Sequence, residues 1–364
     1  MKRNVSFLIK PASSLCNLRC TYCFYHDVSA HRMSTSYGLM SDETMKALVQ
    51  RSVGTFTDTE ITLTFQGGEP TLWGLDRFKA LVKETELYTD RHNTLHWAIQ
   101  TNGTLIDQEW IAFFKEHRFL VGLSIDGPRR NHDHFRINAQ GLPTQDRVLH
   151  TAKQLKEAGV DFNVLTVLTQ TLAKQPEELY RFYRQHNFTH VQLIPCLPGI
   201  DQAKDPFALT PDRFASFYTR FYQLWLEDYQ KGSYLSVGLF DNVIPMFAGM
   251  PPLQCGMLGY CSPQYVIEAD GSVYPCDFYV LDHYRCGNIR DLSIEDILRS
   301  EPMQRFLNEP KRMSPLCADC PFKAMCHGNC KRLNITYFDD QRCGYREFLT
   351  VVSPTMRQIA ARLK

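Results

Sequence analysis

Strand-like and helix-like runs alternate through the first 200 residues of this 364-residue chain. Apolar, β-rich segments stand at residues 5–9, 61–65, 95–100, 120–125, 162–168 and 190–194. Charged, amphipathic stretches of helical length lie between them. Ser41 ahead of Asp42 and Glu43 reads as a helix N-cap with an acidic first turn. Further helices are expected over 144–158 and 176–185, the second with Pro176 at its first position. Such alternation implies βαβ units and a parallel sheet. Six strands are fewer than the eight that close a barrel, so the expected fold is an α/β open, partial (β/α)6 barrel.

Polar loops follow these strands. Gln66-Gly67-Gly68-Glu69-Pro70 follows the second, Thr101-Asn102-Gly103-Thr104 the third and Asp126-Gly127-Pro128 the fourth. Active sites of parallel α/β folds collect at this rim. The loop after the first strand reads Cys16-Asn17-Leu18-Arg19-Cys20-Thr21-Tyr22-Cys23. Its C-x3-C-x2-C spacing offers three thiolates and no fourth. A 4Fe–4S cluster is normally held by four thiolates. One held by three keeps an iron open to a small-molecule ligand, which points to chemistry rather than electron relay alone.

Residues 212–231 read as a long helix whose stripe of Phe214, Phe217, Tyr218, Phe221, Tyr222 and Trp225 faces a core. The composition then changes. We place a domain boundary near residue 232, giving domains 1–231 and 232–364. Residues 265–274 alternate around Asp270-Gly271 as a β-hairpin does. Beyond it, Cys317, Cys320, Cys326 and Cys330 run at C-x2-C-x5-C-x3-C spacing, followed by Cys343. With Cys255, Cys261 and Cys276 upstream, these eight thiolates suffice for two fully ligated clusters. Zinc accepts the same donors, and this half alone does not separate the two metals. The Cys16 loop favours iron–sulfur throughout. Cys196 and Cys286 are left over and read as core residues.

The formal net charge of +1 gives no footprint for nucleic acid or an anionic membrane. No run of about 18 apolar residues suggests a membrane span, and the first ten residues do not read as an export signal. Thirteen cysteines, an odd count at metal-ligand spacings, argue against a secreted disulfide framework and for a reducing cytoplasm.

The motif Cys16-x3-Cys20-x-Tyr22-Cys23 resembles the radical S-adenosylmethionine (radical SAM) signature, and Gly67-Gly68-Glu69-Pro70 resembles the loop that holds the methionyl amino group. The later cysteines resemble the SPASM pattern, a C-terminal domain with two auxiliary clusters. Nearly end to end, the chain is similar to anaerobic sulfatase-maturating enzymes. That resemblance implies three 4Fe–4S clusters, S-adenosylmethionine, and oxidation of the Cβ of a cysteine or serine in a sulfatase Cys/Ser-x-Pro-x-Arg segment to Cα-formylglycine. The neighbouring alternative is another SPASM maturase that crosslinks a ribosomal peptide. The resemblance also implies an external electron donor such as a ferredoxin or flavodoxin.

Residue roles follow from the same resemblance. Cys16, Cys20 and Cys23 would ligate the catalytic cluster, with Tyr22 near the adenine. Gly67, Gly68 and Glu69 would meet the cofactor, and Gln66 would sit near the cleaved bond. Ser124 and Arg136 would hold the carboxylate, and Leu197 would offer adenine a backbone contact. Cys255, Cys261, Cys276 and Cys330 would hold one auxiliary cluster; Cys317, Cys320, Cys326 and Cys343 would hold the other. Asp277 would be the base, with Tyr25 and Gln100 in the substrate pocket. Taken alone, Arg136 reads as a solvated charge and Asp277 as a hairpin or capping aspartate.

Overall fold

All six expected strands form in the computed structural model, which describes residues 3–202 and 205–363. They are β1 (Arg3–Ile9), β2 (Thr59–Phe65), β3 (Thr94–Thr101), β4 (Leu120–Ser124), β5 (Phe162–Leu168) and β6 (His190–Pro195). Four short strands follow: β7 (Ser236–Val237), β8 (Val266–Ile267), β9 (Ser272–Tyr274) and β10 (Gly287–Asn288). The chain divides into two compact units, one of Met1–Ser124, Arg136–Phe162 and Ser262–Glu309, the other of Ile125–Phe135, Asn163–Cys261 and Pro310–Lys364.

In the first unit, β1 pairs parallel with β2 along its length, from Arg3 opposite Thr59 to Ile9 opposite Phe65. Strands β3 and β4 extend the parallel run. On its other side β1 pairs parallel with β8, Leu8 opposite Val266 and Ile9 opposite Ile267. The β8–β9 pairing is antiparallel, as the Asp270-Gly271 signal implies, and β10 adds to it antiparallel. A hairpin from the last third of the sequence therefore widens the sheet begun by the first strand.

The period of two places Ile61, Leu63 and Phe65 of β2 wholly inside. Phe65 packs against Phe78 at 4.9 Å, and Phe78 against Trp110 at 5.3 Å, in edge-to-face pairs. Ser41 caps the helix Asp42–Ser52, its hydroxyl accepting from the Thr44 amide at 3.1 Å.

In the second unit, β5, β6 and β7 are parallel neighbours. The helix Pro211–Gln230 buries its whole aromatic stripe. Phe214 and Tyr218 meet Phe348 of the helix Gly344–Ala360 at 6.2 and 5.9 Å. Among the described residues, no helix is long and apolar enough to cross a membrane.

Candidate active site

Within the first unit, Cys16, Cys20 and Cys23 line one open cleft of about 680 Å³ together with Leu15, Tyr25 and Gly68. That volume falls in the range of small-molecule sites, roughly 300–1,000 Å³. Hydrogen-bond donors point at the sulfurs. The Leu18 amide lies 3.3 Å from Cys16 Sγ, Asn102 Nδ2 lies 3.8 Å from the same sulfur, and Arg136 Nη1 lies 4.0 Å from Cys20 Sγ. Burial pushes the Cys16 thiol up to about 11, with those two donors to its sulfur opposing. A ligating thiolate is stabilised by such donors and gives up its proton when metal binds. Three thiols lining one cleft fit a cluster with an open iron.

Glycine at 67 and 68 is required by the chain itself. A Cβ on Gly68 would lie 2.0 Å from the Leu15 carbonyl oxygen, and one on Gly67 2.8 Å from that of Ser13. The close approach is held by Gly68 N–H to Ser13 at 2.9 Å and Glu69 N–H to Leu15 at 2.8 Å. Glu69 is fully buried. Its Oε1 accepts from Thr71 Oγ1 at 2.6 Å and Thr101 Oγ1 at 2.8 Å, and its Oε2 from the Asn102 amide at 2.8 Å. Burial lifts its carboxyl above the usual range while these bonds oppose. The side chain thus fastens the loop after β2 to the end of β3, and only its backbone remains for a ligand.

Asp277 sits in a buried polar network of the same unit. Its Oδ2 accepts from Tyr25 Oη and Gln66 Nε2, each at 2.9 Å. Lys10 Nζ lies 2.9 Å from Oδ1 and 4.7 Å from the centre of the Tyr25 ring. That oxygen accepts no well-directed hydrogen bond among the described residues. Behind Lys10, Arg32 Nη1 bonds Glu268 Oε1 at 2.7 Å, and Lys10 Nζ stands 4.0 Å from the same oxygen. Lys10, Arg32, Glu268 and Asp277 are all less than a tenth exposed. Burial and then the Asp277 charge drive the Tyr25 phenol far above its ordinary range, so Tyr25 stays a donor.

In the second unit, Cys317, Cys320, Cys326 and Cys343 line one cavity with Phe322, Phe338 and Tyr345. Backbone amides again point at sulfur, Gly328 to Cys326 at 3.3 Å and Arg346 to Cys343 at 3.4 Å. Four thiols with amide donors around one cavity fit a fully ligated cluster. Burial raises the Cys261 thiol, and charges on Cys330 and Cys255 would raise it further. The fourth cysteine grouped with them, Cys276, belongs to the first unit and directly precedes Asp277.

The chain matches the radical SAM superfamily over residues 11–183 and an iron–sulfur cluster-binding domain over 259–321. A cysteine-type anaerobic sulfatase-maturating enzyme of Clostridium novyi (strain NT) is 37% identical over 91% of this chain and 88% of its own. That of Clostridium perfringens (strain 13 / Type A) is 36% identical over 99% of both. The chain belongs to the anaerobic sulfatase-maturating enzymes. A serine-type member from Bacteroides thetaiotaomicron is 28% identical over 96% of this chain and 89% of its own. Native anSMEcpe, solved with bound AdoMet and Cp18Cys peptide, superposes with a TM-score of 0.91 at 35% identity, covering 99% of this chain and 100% of that one. Streptococcus suis SuiB shares the fold at 18% identity and a TM-score of 0.62, over 94% of this chain and 77% of its own.

As a member of that family, the chain is a radical SAM enzyme with an α/β radical SAM domain, a SPASM domain and iron–sulfur clusters. Its first unit brings together most of the residues singled out in the sequence. Tyr25 lines the cysteine cleft and binds Asp277, which also holds Gln66. Gln100 Nε2 bonds Ser124 Oγ at 3.0 Å. Two expectations taken from single residues are corrected. Arg136 is 8% exposed, not solvated, its guanidinium 5.6 Å over the Tyr22 ring. Asp277 opens a short turn, but its carboxylate points to Tyr25, Gln66 and Lys10 rather than capping it. Leu197 lies past β6 in the second unit. Cys196 and Cys286 are buried, as core residues are.

Sequence reasoning missed Lys10, Arg32 and Glu268. Two of them carried one chemical signal, a charge at the end of an apolar strand, Lys10 directly after β1 and Glu268 directly after β8; Arg32, after the short helix Phe24–Ala30, carried none.

Proposed function

We propose that the chain oxidises the Cβ of a cysteine or serine in a Cys/Ser-x-Pro-x-Arg segment of a sulfatase-type protein to Cα-formylglycine. The bound groups supply a 5′-deoxyadenosyl radical that takes one Cβ hydrogen, and an iron–sulfur acceptor for the second electron. The chain supplies the remaining step, removal of the thiol or hydroxyl proton. Thioaldehyde then gives aldehyde by adding water and releasing hydrogen sulfide; serine gives aldehyde directly.

Asp277 is the base in this reading. Its Oδ2 is engaged by Tyr25 and Gln66, which fix the carboxylate plane. Among the described residues Oδ1 accepts no well-directed hydrogen bond and faces only the Lys10 ammonium at 2.9 Å, so it is the oxygen assigned to take the proton. The observation that carries the proposal is Tyr25, which lines the three-cysteine cleft and donates to Asp277. Arg136 and Ser124 are assigned to the cofactor carboxylate, Tyr22 and Leu197 to adenine, and Gln100 to the substrate side. Cysteine is the favoured substrate residue, since cysteine-type relatives reach 37% identity and serine-type ones 25–28%.

We assign radical generation to residues 1–231 and the auxiliary clusters to 232–364. That assignment follows the distribution of the cysteines rather than packing, since Asn163–Cys261 lie in one compact unit. An external one-electron donor of the ferredoxin or flavodoxin kind and a cytoplasmic setting complete the proposal.

An Asp277→Asn variant tests the base. It should still form 5′-deoxyadenosine but make aldehyde at least about 100-fold more slowly, the usual scale of general-base loss. An unchanged aldehyde rate removes Asp277 from that role.

A further inference from the structure

Lys311 is a cation with no part in the mechanism above, and it lies inside the second unit's cysteine-rich region. Its Nζ donates to the carbonyl oxygen of Asn329 at 2.9 Å and to that of Gly259. Gly259 stands two residues before Cys261, and Asn329 stands between Cys326 and Cys330. The lysine stem runs past Gly328, its Cε 3.4 Å from where a Cβ there would sit. Burial works against the charge of the ammonium, while thiolates at Cys326, Cys261, Cys330 and Cys317 favour it. Cys261 and Cys330 are assigned to one auxiliary cluster, Cys317 and Cys326 to the other.

We propose that Lys311 is a shared positive post between the two auxiliary ligand sets, and that its charge raises the reduction potential of the clusters on both sides. Adding an electron to a cluster adds one negative charge, which a fixed cation nearby favours. Held by two carbonyls, the ammonium needs no rearrangement when that charge arrives. The inference rests on the ligand assignment above and is independent of the role given to Asp277.

The test uses the full chain with Cys16, Cys20 and Cys23 all changed to Ala, so that only auxiliary clusters remain. Potentiometric titration followed by electron paramagnetic resonance reads their potentials, and iron analysis reads their loading. Lys311→Met and Lys311→Gln should shift both auxiliary signals to more negative potential, while Lys311→Arg should stay near the parent. Neutral variants that load iron fully at parental potentials overturn the proposal, as does a shift confined to one signal. If neither neutral variant loads iron but Lys311→Arg loads at parental potentials, the need for charge supports it. If Lys311→Arg also fails to load, charge is not what the position supplies and the proposal falls. Cys261→Ala in the same background checks the assignment separately. It should abolish one auxiliary signal, and if both persist the ligand sets are wrong whatever Lys311 does.

Discussion

Lys10, Arg32, Glu268 and Asp277 bring two cations and two anions into one buried network. Removing one partner of a buried ion pair leaves a charge without compensation, at a cost of about 3–5 kcal/mol. Arg32→Met should therefore destabilise the protein by that amount in urea unfolding, because among the described residues Glu268 then keeps only Lys10 as a cation, at 4.0 Å. A loss below about 1 kcal/mol, the scale of an exposed pair, would show that Arg32 is not part of a buried network. The pairings in this network were not legible in the sequence, for a reason of distance along the chain. Arg32 and Glu268 are 236 positions apart, and Tyr25 and Asp277 are 252 apart. A charged residue read alone is assigned to solvent, because covering it takes a partner that spacing does not reveal.

Elements were more legible where their pattern is local. The parallel strands declare themselves by short apolar runs, and Pro176 at the start of the helix Pro176–Gln185 is a local signal too. The Cys16 loop was readable because three ligands on one short loop need no long-range partner. The pairing of β8 with β1 was not, since a two-residue strand carries no periodicity. The Gly67-Gly68 pair was readable as a close approach, but its neighbour is the chain's own loop. Gly68→Ala places a methyl 2.0 Å from the Leu15 carbonyl oxygen, so the loop beside Cys16 has to move. Affinity for S-adenosylmethionine, measured by equilibrium dialysis, should fall at least roughly tenfold, about 1.4 kcal/mol. Unchanged affinity would mean that this contact does not shape the site.

At the scale of the molecule, the eleven assigned cysteines divide into three, four and four. Full loading should give about twelve iron atoms per chain, four for each cluster. Cys317→Ala should lower that count by about four and leave S-adenosylmethionine cleavage in place, whereas Cys16→Ala should abolish cleavage. An unchanged iron content in Cys317→Ala would remove that residue from the ligand set. The central claim is that these clusters serve oxidation of a protein side chain. It is tested most directly by anaerobic incubation of the reconstituted enzyme with S-adenosylmethionine, a reductant and a peptide bearing Cys-x-Pro-x-Arg, read by mass spectrometry. The account predicts an aldehyde at the cysteine, trapped by a hydrazide, with one 5′-deoxyadenosine formed per aldehyde. Formation of 5′-deoxyadenosine with a peptide left unmodified, or joined by a thioether crosslink, would contradict it.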